Sequence, residues 1–149
     1  MGYENLMVEY EHEVKIKEKP LLYDLKGLYK NGNIIIDSNI QTNAEKHCIL
    51  SEEIGHHFTS SGDILDLTDI GNLKQEKRAR IWAYNKSAPI RKIIQAYELG
   101  LTDTYQVAEY LNVTEEFLKE AIEYYESLYD VYCDIDNRKV YINGTIDVV

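Results

Sequence analysis

Residues 48–58 read Cys-Ile-Leu-Ser-Glu-Glu-Ile-Gly-His-His-Phe, and this stretch decides the fold prediction. Glu52 and His56 stand four residues apart, so on an α-helix their side chains lie on one face, about one turn apart. A carboxylate and an imidazole at this spacing can ligate the same metal ion. Glu53 lies beside that face, where its carboxylate can act on a water held by the ion. The stretch therefore predicts a helical metal site with an adjacent general base.

The spacing is that of the H-E-x-x-H helix of zinc peptidases with one substitution, because Glu52 stands in place of the first histidine. A second register would pair Glu53 with His57, which are also four residues apart. That register puts Ile54 in the position of the base, and isoleucine cannot accept a proton. We therefore assign Glu52 and His56 as ligands and Glu53 as the general base. His57 points about 100° away from His56 and is expected to pack, to hydrogen-bond or to support the ligands from behind.

The sequence also predicts where this helix begins and ends. Thr42-Asn43-Ala44-Glu45 is a capping box, so the helix is expected to begin near Asn43. It should end at about Phe58, before the helix-breaking stretch 59–62. Gly55 in mid-helix costs roughly 1 kcal/mol relative to alanine. We expect a neighbouring element or a substrate to pass close to the helix at that point.

A glutamate and a histidine four residues apart are common on solvated helix faces, so a metal site needs a third ligand. Residues 75–83 carry Glu76, Ala79, Trp82 and Ala83. Here the chain resembles the ImmA/IrrE family of metallopeptidases, which includes anti-repressor proteases of phages and integrative elements. In that family a second helix of the pattern E-x-x-A-x-x-[FW]-A follows the motif helix, and its glutamate completes the site. The resemblance therefore implies Glu76 as the third ligand, while Trp82 is expected to lie in the core.

The resemblance covers roughly residues 20–130. The stretch 27–37 matches the family's G-x-Y-x-x-G-x-I-x-I-D segment before the motif helix, and a helix-turn-helix-like segment follows the second helix, as in the family. The chain departs from the family's usual two histidines, since its ligands would be Glu52, His56 and Glu76. Some phage-type members share this Glu-Glu-x-x-His variant. Two carboxylate ligands lower the Lewis acidity of the ion. A carboxylate-rich set also makes Mn²⁺ or Fe²⁺ more plausible than at a site of two histidines and one glutamate, and Zn²⁺ remains the first expectation.

The family resemblance implies a function. It predicts a metal-dependent endopeptidase that cleaves a helix-turn-helix transcriptional repressor and thereby switches on an excision or lytic programme. The alternative is a non-catalytic anti-repressor that binds a repressor or another partner on the same fold. A component of a toxin–antitoxin or stress-response system is a third possibility.

Several other side chains are weaker candidates. Arg78 and Arg80 follow Glu76 closely and can orient carboxylates or bind substrate, although solvated helix charges are the commoner outcome. Tyr84 or Tyr97 could donate a hydrogen bond to a tetrahedral oxyanion. His47 is expected at the surface.

Composition and charge narrow the class of protein. The chain has 149 residues, of which 44% are hydrophobic and 28% charged, as in a globular protein of one ordinary domain. No run approaches the ~20 apolar residues of a membrane span, the acidic N-terminus does not resemble a signal peptide, and two cysteines do not make a disulfide framework. We therefore expect a cytoplasmic protein with reduced thiols and no membrane contact.

The charge distribution bears on partners. The net charge is −10, which argues against binding to nucleic acid. Thr104–Leu111 and 115–128 form the two predicted helices of the helix-turn-helix-like segment, with Asn112 ending the first and Thr114 capping the second. Residues 103–130 contain eight carboxylates and one lysine, a net charge of −7. Such a surface repels DNA, so we expect it to dock protein if it has a role beyond packing.

The predicted fold class is α+β and mostly helical, with a zincin-like motif helix beside a small β-sheet. Residues 1–100 are expected to form a metallopeptidase-like core and 101–149 the helix-turn-helix-like segment with a terminal hairpin, in a single compact unit. The remaining expectations for the N-terminal half are a helix over 1–19 that includes Val14 and Ile16 and ends before Pro20, strand–turn–strand over 21–37 around Asn31-Gly32, and a loop over 59–73 that frames the cleft. For the rest of the chain we expect a helix over 88–99, with Pro89 in its first turn and Gly100 just after its end, and hairpin strands at 131–135 and 139–142.

Overall fold

Helices dominate the fold, and two small sheets accompany them, which confirms the predicted α+β class. The computed structural model describes residues 2–59, 70–128, 132–135, 138–142 and 146–148. Its elements, in chain order, are α1 (Tyr3–Tyr10), β1 (Lys15–Lys19), β2 (Gly27–Lys30), β3 (Asn33–Asp37), α2 (Asn43–Thr59), α3 (Ile70–Ser87), α4 (Ile90–Glu98), α5 (Thr104–Leu111), α6 (Glu115–Leu128), β4 (Tyr132–Ile135), β5 (Arg138–Ile142) and β6 (Ile146–Val148).

The first sheet contains the predicted hairpin. β2 and β3 pair antiparallel, and both turn residues have positive φ, 50° at Asn31 and 79° at Gly32. Two left-handed residues make the turn whose twist matches that of the flanking strands. The strand prediction was wrong for 21–26, because β2 begins at Gly27. Tyr23 and Asp24 both have positive φ, which a strand does not allow.

The N-terminal prediction was partly wrong. α1 ends at Tyr10, and residues 15–19 form strand β1, which pairs parallel with β3 at the other edge of the sheet. The sequence of β1, Lys-Ile-Lys-Glu-Lys, has a single apolar side chain and no sign of a buried face. Its strand conformation comes from hydrogen bonding to β3, a pairing that local sequence does not reveal.

Helix α2 lies between two groups of buried apolar side chains. Leu50 and Ile54, both fully buried, face α1 and the first sheet. On another side, Cys48 joins the second group, which is formed by α3, α4, α5 and α6 and contains, among others, Ala83, Ile93, Val107 and Leu118. The motif helix is therefore held from both sides, which fixes the direction of its functional side chains.

The helix-turn-helix-like segment has the predicted helix ends. Asn112 is left-handed, with φ 58° and ψ 38°, and ends α5. The Thr114 hydroxyl accepts a hydrogen bond from the Phe117 backbone N–H at 3.1 Å and caps α6. Tyr125 of α6 donates to the carbonyl oxygen of Tyr84 at 3.1 Å. This segment therefore packs directly on α3, the helix after the motif helix.

The surface prediction for His47 was wrong. Its side chain is only 2% exposed, and its Nδ1 lies 2.8 Å from the Asn112 carbonyl oxygen. Next to it, Cys48 has a free thiol whose Sγ is 3.5 Å from the Thr114 backbone nitrogen. The start of α2 thus contacts the turn between α5 and α6, a tertiary contact that the spacing along α2 does not encode.

The remaining elements adjust the predicted boundaries. α4 runs over Ile90–Glu98 with Pro89 as its N-cap. The hairpin β4–β5 forms as predicted, and β6 adds a third antiparallel strand that was not predicted. α3 begins at Ile70, so the predicted loop is shorter at that end, and its residues 60–69 lie outside the described residues, as do the hairpin turn residues 136 and 137. The division at residue 100 stays a prediction. None of the described helices has the length and apolar character that crossing a membrane requires.

Candidate metal centre

A close approach of α2 and α3 builds the site. Gly55 of α2 faces Ala79 of α3 so closely that a Cβ added at Gly55 would lie 2.4 Å from the Ala79 carbonyl oxygen. One turn earlier on α2, the Ser51 hydroxyl lies 2.7 Å from the Ser87 hydroxyl. Small side chains on both helices therefore let the two backbones meet. This contact explains the mid-helix glycine, which was expected to face a neighbouring element or a substrate.

The same contact brings the three predicted ligands together. His56 follows Gly55 on α2, and Glu76 precedes Ala79 by three residues on the same face of α3. Glu52, His56 and Glu76 each offer one ligand atom, and these atoms all lie within 4.8 Å of one another. His56 Nε2 lies 3.3 Å from Glu76 Oε2. These three side chains could hold one metal ion.

The geometry and the chemistry of this set fit a zinc-sized ion. In a tetrahedron with bonds of 2.0–2.1 Å, neighbouring ligand atoms are about 3.4 Å apart, close to the 3.3 Å between His56 and Glu76. The His56 side chain is 6% exposed, whereas Glu76 and Glu52 are 34% and 25% exposed. The buried imidazole anchors the set, and the two carboxylates open toward solvent. That opening leaves room for a further ligand such as water.

Glu53, next to the ligands on α2, is partly buried. Burial, and then the nearby carboxylates of Glu52 and Glu76, raise its pKa to about 8. The cover comes from the start of β2, where a Cβ added at Gly27 would lie 3.0 Å from Glu53 Oε1. A carboxyl group with a pKa near neutrality can both accept and return a proton at physiological pH. The assignment of Glu53 as the general base stays a prediction.

Burial also raises the pKa of Glu52, and the guanidinium of Arg80 opposes this rise. Arg80 Nη2 lies 3.8 Å from Glu52 Oε1, and the arginine side chain is 50% exposed. Arg78, two residues earlier on α3, is exposed. Of the two arginines that the sequence singled out, Arg80 is the one that the structure places beside a predicted ligand.

His57 belongs to an aromatic group that includes Tyr29 and Phe58. Its Nδ1 lies 2.8 Å from the Tyr29 hydroxyl of β2, and its ring contacts Phe58 edge to face. Phe58 stacks on Trp82, with ring centroids 5.5 Å apart, and Trp82 packs against the buried group beside α1. Trp82 is therefore a packing residue, as expected. The contacts of His57 are those of a residue that packs and hydrogen-bonds, and a role behind the ligands stays a prediction.

Tyr84 has a partner already. Its hydroxyl donates to Glu120 Oε2 of α6 at 3.1 Å, and burial raises its pKa. It is therefore poorly placed to serve as the oxyanion donor that the sequence suggested. Tyr97 packs against the second buried group. A role for Tyr97 as the oxyanion donor stays a prediction.

Two residues near the site were not predicted. Gly27 covers Glu53, and the signal for it was a glycine in a strand, which often marks a close approach. Glu120 adds a further negative charge whose field reaches Glu52. No local pattern in α6 distinguishes Glu120 from its acidic neighbours, because its position depends on how α6 packs on α3.

Comparison with known proteins agrees with this geometry. The sequence profile of a peptidase family, described as the IrrE N-terminal-like domain, matches residues 7–123. The chain belongs to the ImmA/IrrE family. The match extends from α1 into α6 and so includes all of the described site. No curated protein and no solved structure matched the chain. ImmA/IrrE proteins of this type are metallopeptidases. Membership of the family therefore implies a peptidase activity, a metal and a protein substrate, but not which metal or which substrate.

Proposed function

We propose that this ImmA/IrrE protein is a zinc-dependent endopeptidase that cleaves a helix-turn-helix transcriptional repressor. The observation that carries the proposal is the convergence of ligand atoms from Glu52, His56 and Glu76 to within 4.8 Å of one another. Glu53, with a pKa near neutrality, lies next to them. A repressor substrate would place the enzyme in the cytoplasm.

The chemistry follows from the roles that these side chains can fill. Glu52, His56 and Glu76 would hold the ion, which when bound supplies Lewis acidity to a water and to the peptide carbonyl. Glu53 accepts the proton that the attacking water releases as its oxygen bonds to the carbonyl carbon. When the C–N bond breaks, Glu53 returns that proton to the leaving nitrogen, so the acid and base roles are filled by one residue.

The ligand set favours zinc and leaves room for two alternatives. A buried imidazole and two partly exposed carboxylates suit Zn²⁺ in a four-coordinate site. A carboxylate-rich set also makes Mn²⁺ and Fe²⁺ more plausible than a set with two histidines does. We therefore assign zinc, with Mn²⁺ and Fe²⁺ as the metals against which it should be compared.

The substrate assignment rests on the resemblance to anti-repressor proteases and on charge. Glu116 and Glu123 of α6 are exposed, and the segment 103–130 has a net charge of −7. An acidic surface attracts a basic protein, such as one that binds DNA, and raises its rate of association. It also disfavours direct binding of this chain to nucleic acid.

Cleavage of the repressor encoded beside this chain tests the proposal. We expect zinc-loaded protein to cut the repressor and a chelator to stop the reaction. The Glu53→Gln variant should bind zinc like the original protein, because Glu53 is not a ligand, and should cleave about 10²–10⁴-fold more slowly because an amide accepts no proton. The matched control is Glu4→Gln, an exposed glutamate of α1 outside the segment 103–130, which should leave cleavage unchanged. Repressor binding without cleavage by any of these proteins would favour the non-catalytic anti-repressor.

A further inference from the structure

The site contains many carboxylates and little positive charge. Among the described residues, His56 Nε2 lies 3.3 Å from Glu76 Oε2, and Arg80 Nη2 lies 3.8 Å from Glu52 Oε1. His56 is assigned to the ion. Arg80 is therefore the cation that remains available beside the reacting group.

Its position on α3 is specific. Arg80 follows Glu76 by four residues, so both side chains lie on the same face of the helix. Its Nη2 is 3.8 Å from Glu52 Oε1, longer than the 2.7–2.9 Å of a charge-assisted hydrogen bond. A guanidinium has five N–H donors, and this loose pair engages few of them. The half-exposed side chain thus keeps donors available for a further partner beside Glu52.

During peptide hydrolysis a hydrogen-bond donor can stabilise the scissile carbonyl oxygen in addition to the ion. When the oxygen of water bonds to the carbonyl carbon, the electron pair of the C=O bond moves to the carbonyl oxygen, which becomes negatively charged. Positioned donors for that oxygen are among the largest contributions to the rate of such reactions. Tyr84, the nearest tyrosine on α3, donates instead to Glu120.

We propose that Arg80 is a catalytic residue that donates to the oxygen of the scissile carbonyl as it becomes negative. The proposal rests on the proposed function. Arg80 holds no proton in transit: Glu53 keeps the proton from water, the pair on oxygen re-forms the C=O bond as the C–N bond breaks, and the leaving nitrogen takes the proton. Arg80 stabilises the charge while it is on the oxygen.

Inorganic phosphate is a tetrahedral oxyanion, so its binding tests whether Arg80 donates to an oxyanion in the absence of turnover. Zinc-loaded protein is titrated with phosphate by calorimetry at fixed low salt, together with Arg80→Gln, Arg80→Lys and the matched control Arg78→Gln. We expect Arg80→Gln to bind phosphate about tenfold more weakly, the value for one charged hydrogen bond at a half-exposed position. Arg80→Lys should fall in between, and Arg78→Gln should equal the original protein. Zinc content should be the same in all four, since Arg80 is not a ligand.

Turnover provides the second readout. With a cleavable repressor, Arg80→Gln should lower kcat about 10²–10³-fold and change KM by less than a few fold, as for loss of an oxyanion donor. Equal phosphate affinity in Arg80→Gln and the original protein would overturn the assignment. So would loss of zinc in Arg80→Gln, because Arg80 would then support Glu52. A failure of the proposed function is a separate result, since it shows as absent cleavage by the unsubstituted zinc-loaded protein.

Discussion

Replacing Gly55 with alanine tests whether the contact between α2 and α3 builds the metal site. The added Cβ would lie 2.4 Å from the Ala79 carbonyl oxygen and 3.1 Å from the Ala79 Cα. Packed backbones keep carbon and oxygen about 3.3–3.6 Å apart, so the helices must separate by roughly 1 Å. The obstructing atoms belong to backbone, and no side-chain rotation can relieve the contact.

The size of the effect follows from two opposing contributions. Overpacking costs about 1–3 kcal/mol, and the higher helix propensity of alanine returns about 1 kcal/mol, so we expect a net loss of up to about 2 kcal/mol in the free energy of unfolding. Zinc sites tolerate about 0.2 Å in ligand distances, and a 1 Å displacement of Glu76 from His56 exceeds that. Zinc affinity should fall at least about 10- to 100-fold.

Urea unfolding in the presence of a chelator measures the first quantity, and competition with a chelator of known affinity measures the second. Gly2→Ala is the control, because a Cβ there meets its nearest atoms, in Asn112, at an ordinary 3.8 Å. A Gly55→Ala protein about 1 kcal/mol more stable than the original, with unchanged zinc affinity, would refute the reasoning, since helix propensity alone would then account for the change.

Three further predictions concern the odd ligand, the acidic surface and the buried histidine. Glu52→His should keep or tighten zinc binding while Glu52→Ala loses most of the metal, as measured by metal analysis; equal zinc content in both would make Glu52 a surface residue. Reversing the exposed charges of Glu116 and Glu123 should slow repressor cleavage at low salt and have little effect at high salt, with an unchanged unfolding midpoint; salt-independent kinetics would remove the docking role. Burial lowers the pKa of His47 below its usual 6.5. Below pH 6.5 the imidazole is therefore protonated more readily in the unfolded chain than in the folded protein, and the free energy of unfolding falls as the pH drops. In chemical unfolding, His47→Gln should reduce the pH dependence of the free energy of unfolding by up to about 1.4 kcal/mol per pH unit. The control His12→Gln, at a side chain that is 92% exposed, should not reduce it.

The sequence predicted the elements whose signals are local. The capping box at Thr42 marked the start of α2, and the Thr42 hydroxyl does accept from the Glu45 N–H, at 3.2 Å. Asn31-Gly32 marked the hairpin turn. The strand β1 and the burial of His47 were missed because both depend on partners distant in the chain, β3 and Asn112.

The residues of the site also divide into those that local sequence predicts and those that depend on packing between distant parts of the chain. The pair Glu52 and His56 follows from helical spacing, and the assignment of Glu53 follows from the register. Glu76 was reachable only through family resemblance, because its approach depends on how closely two helices pack. Arg80 and Glu120 acquire their roles from that packing too, so the sequence could not separate Arg80 from Arg78 or Glu120 from the other acidic residues of α6.

X-ray absorption at the zinc edge of the zinc-loaded protein tests the central claim most directly. With Glu52, His56 and Glu76 as ligands, we expect one zinc per chain with nitrogen and oxygen neighbours at about 2.0–2.2 Å and the outer-shell scattering of a single imidazole. Scattering from two imidazoles, a sulfur neighbour at about 2.3 Å, or protein that takes up no zinc would contradict the claim.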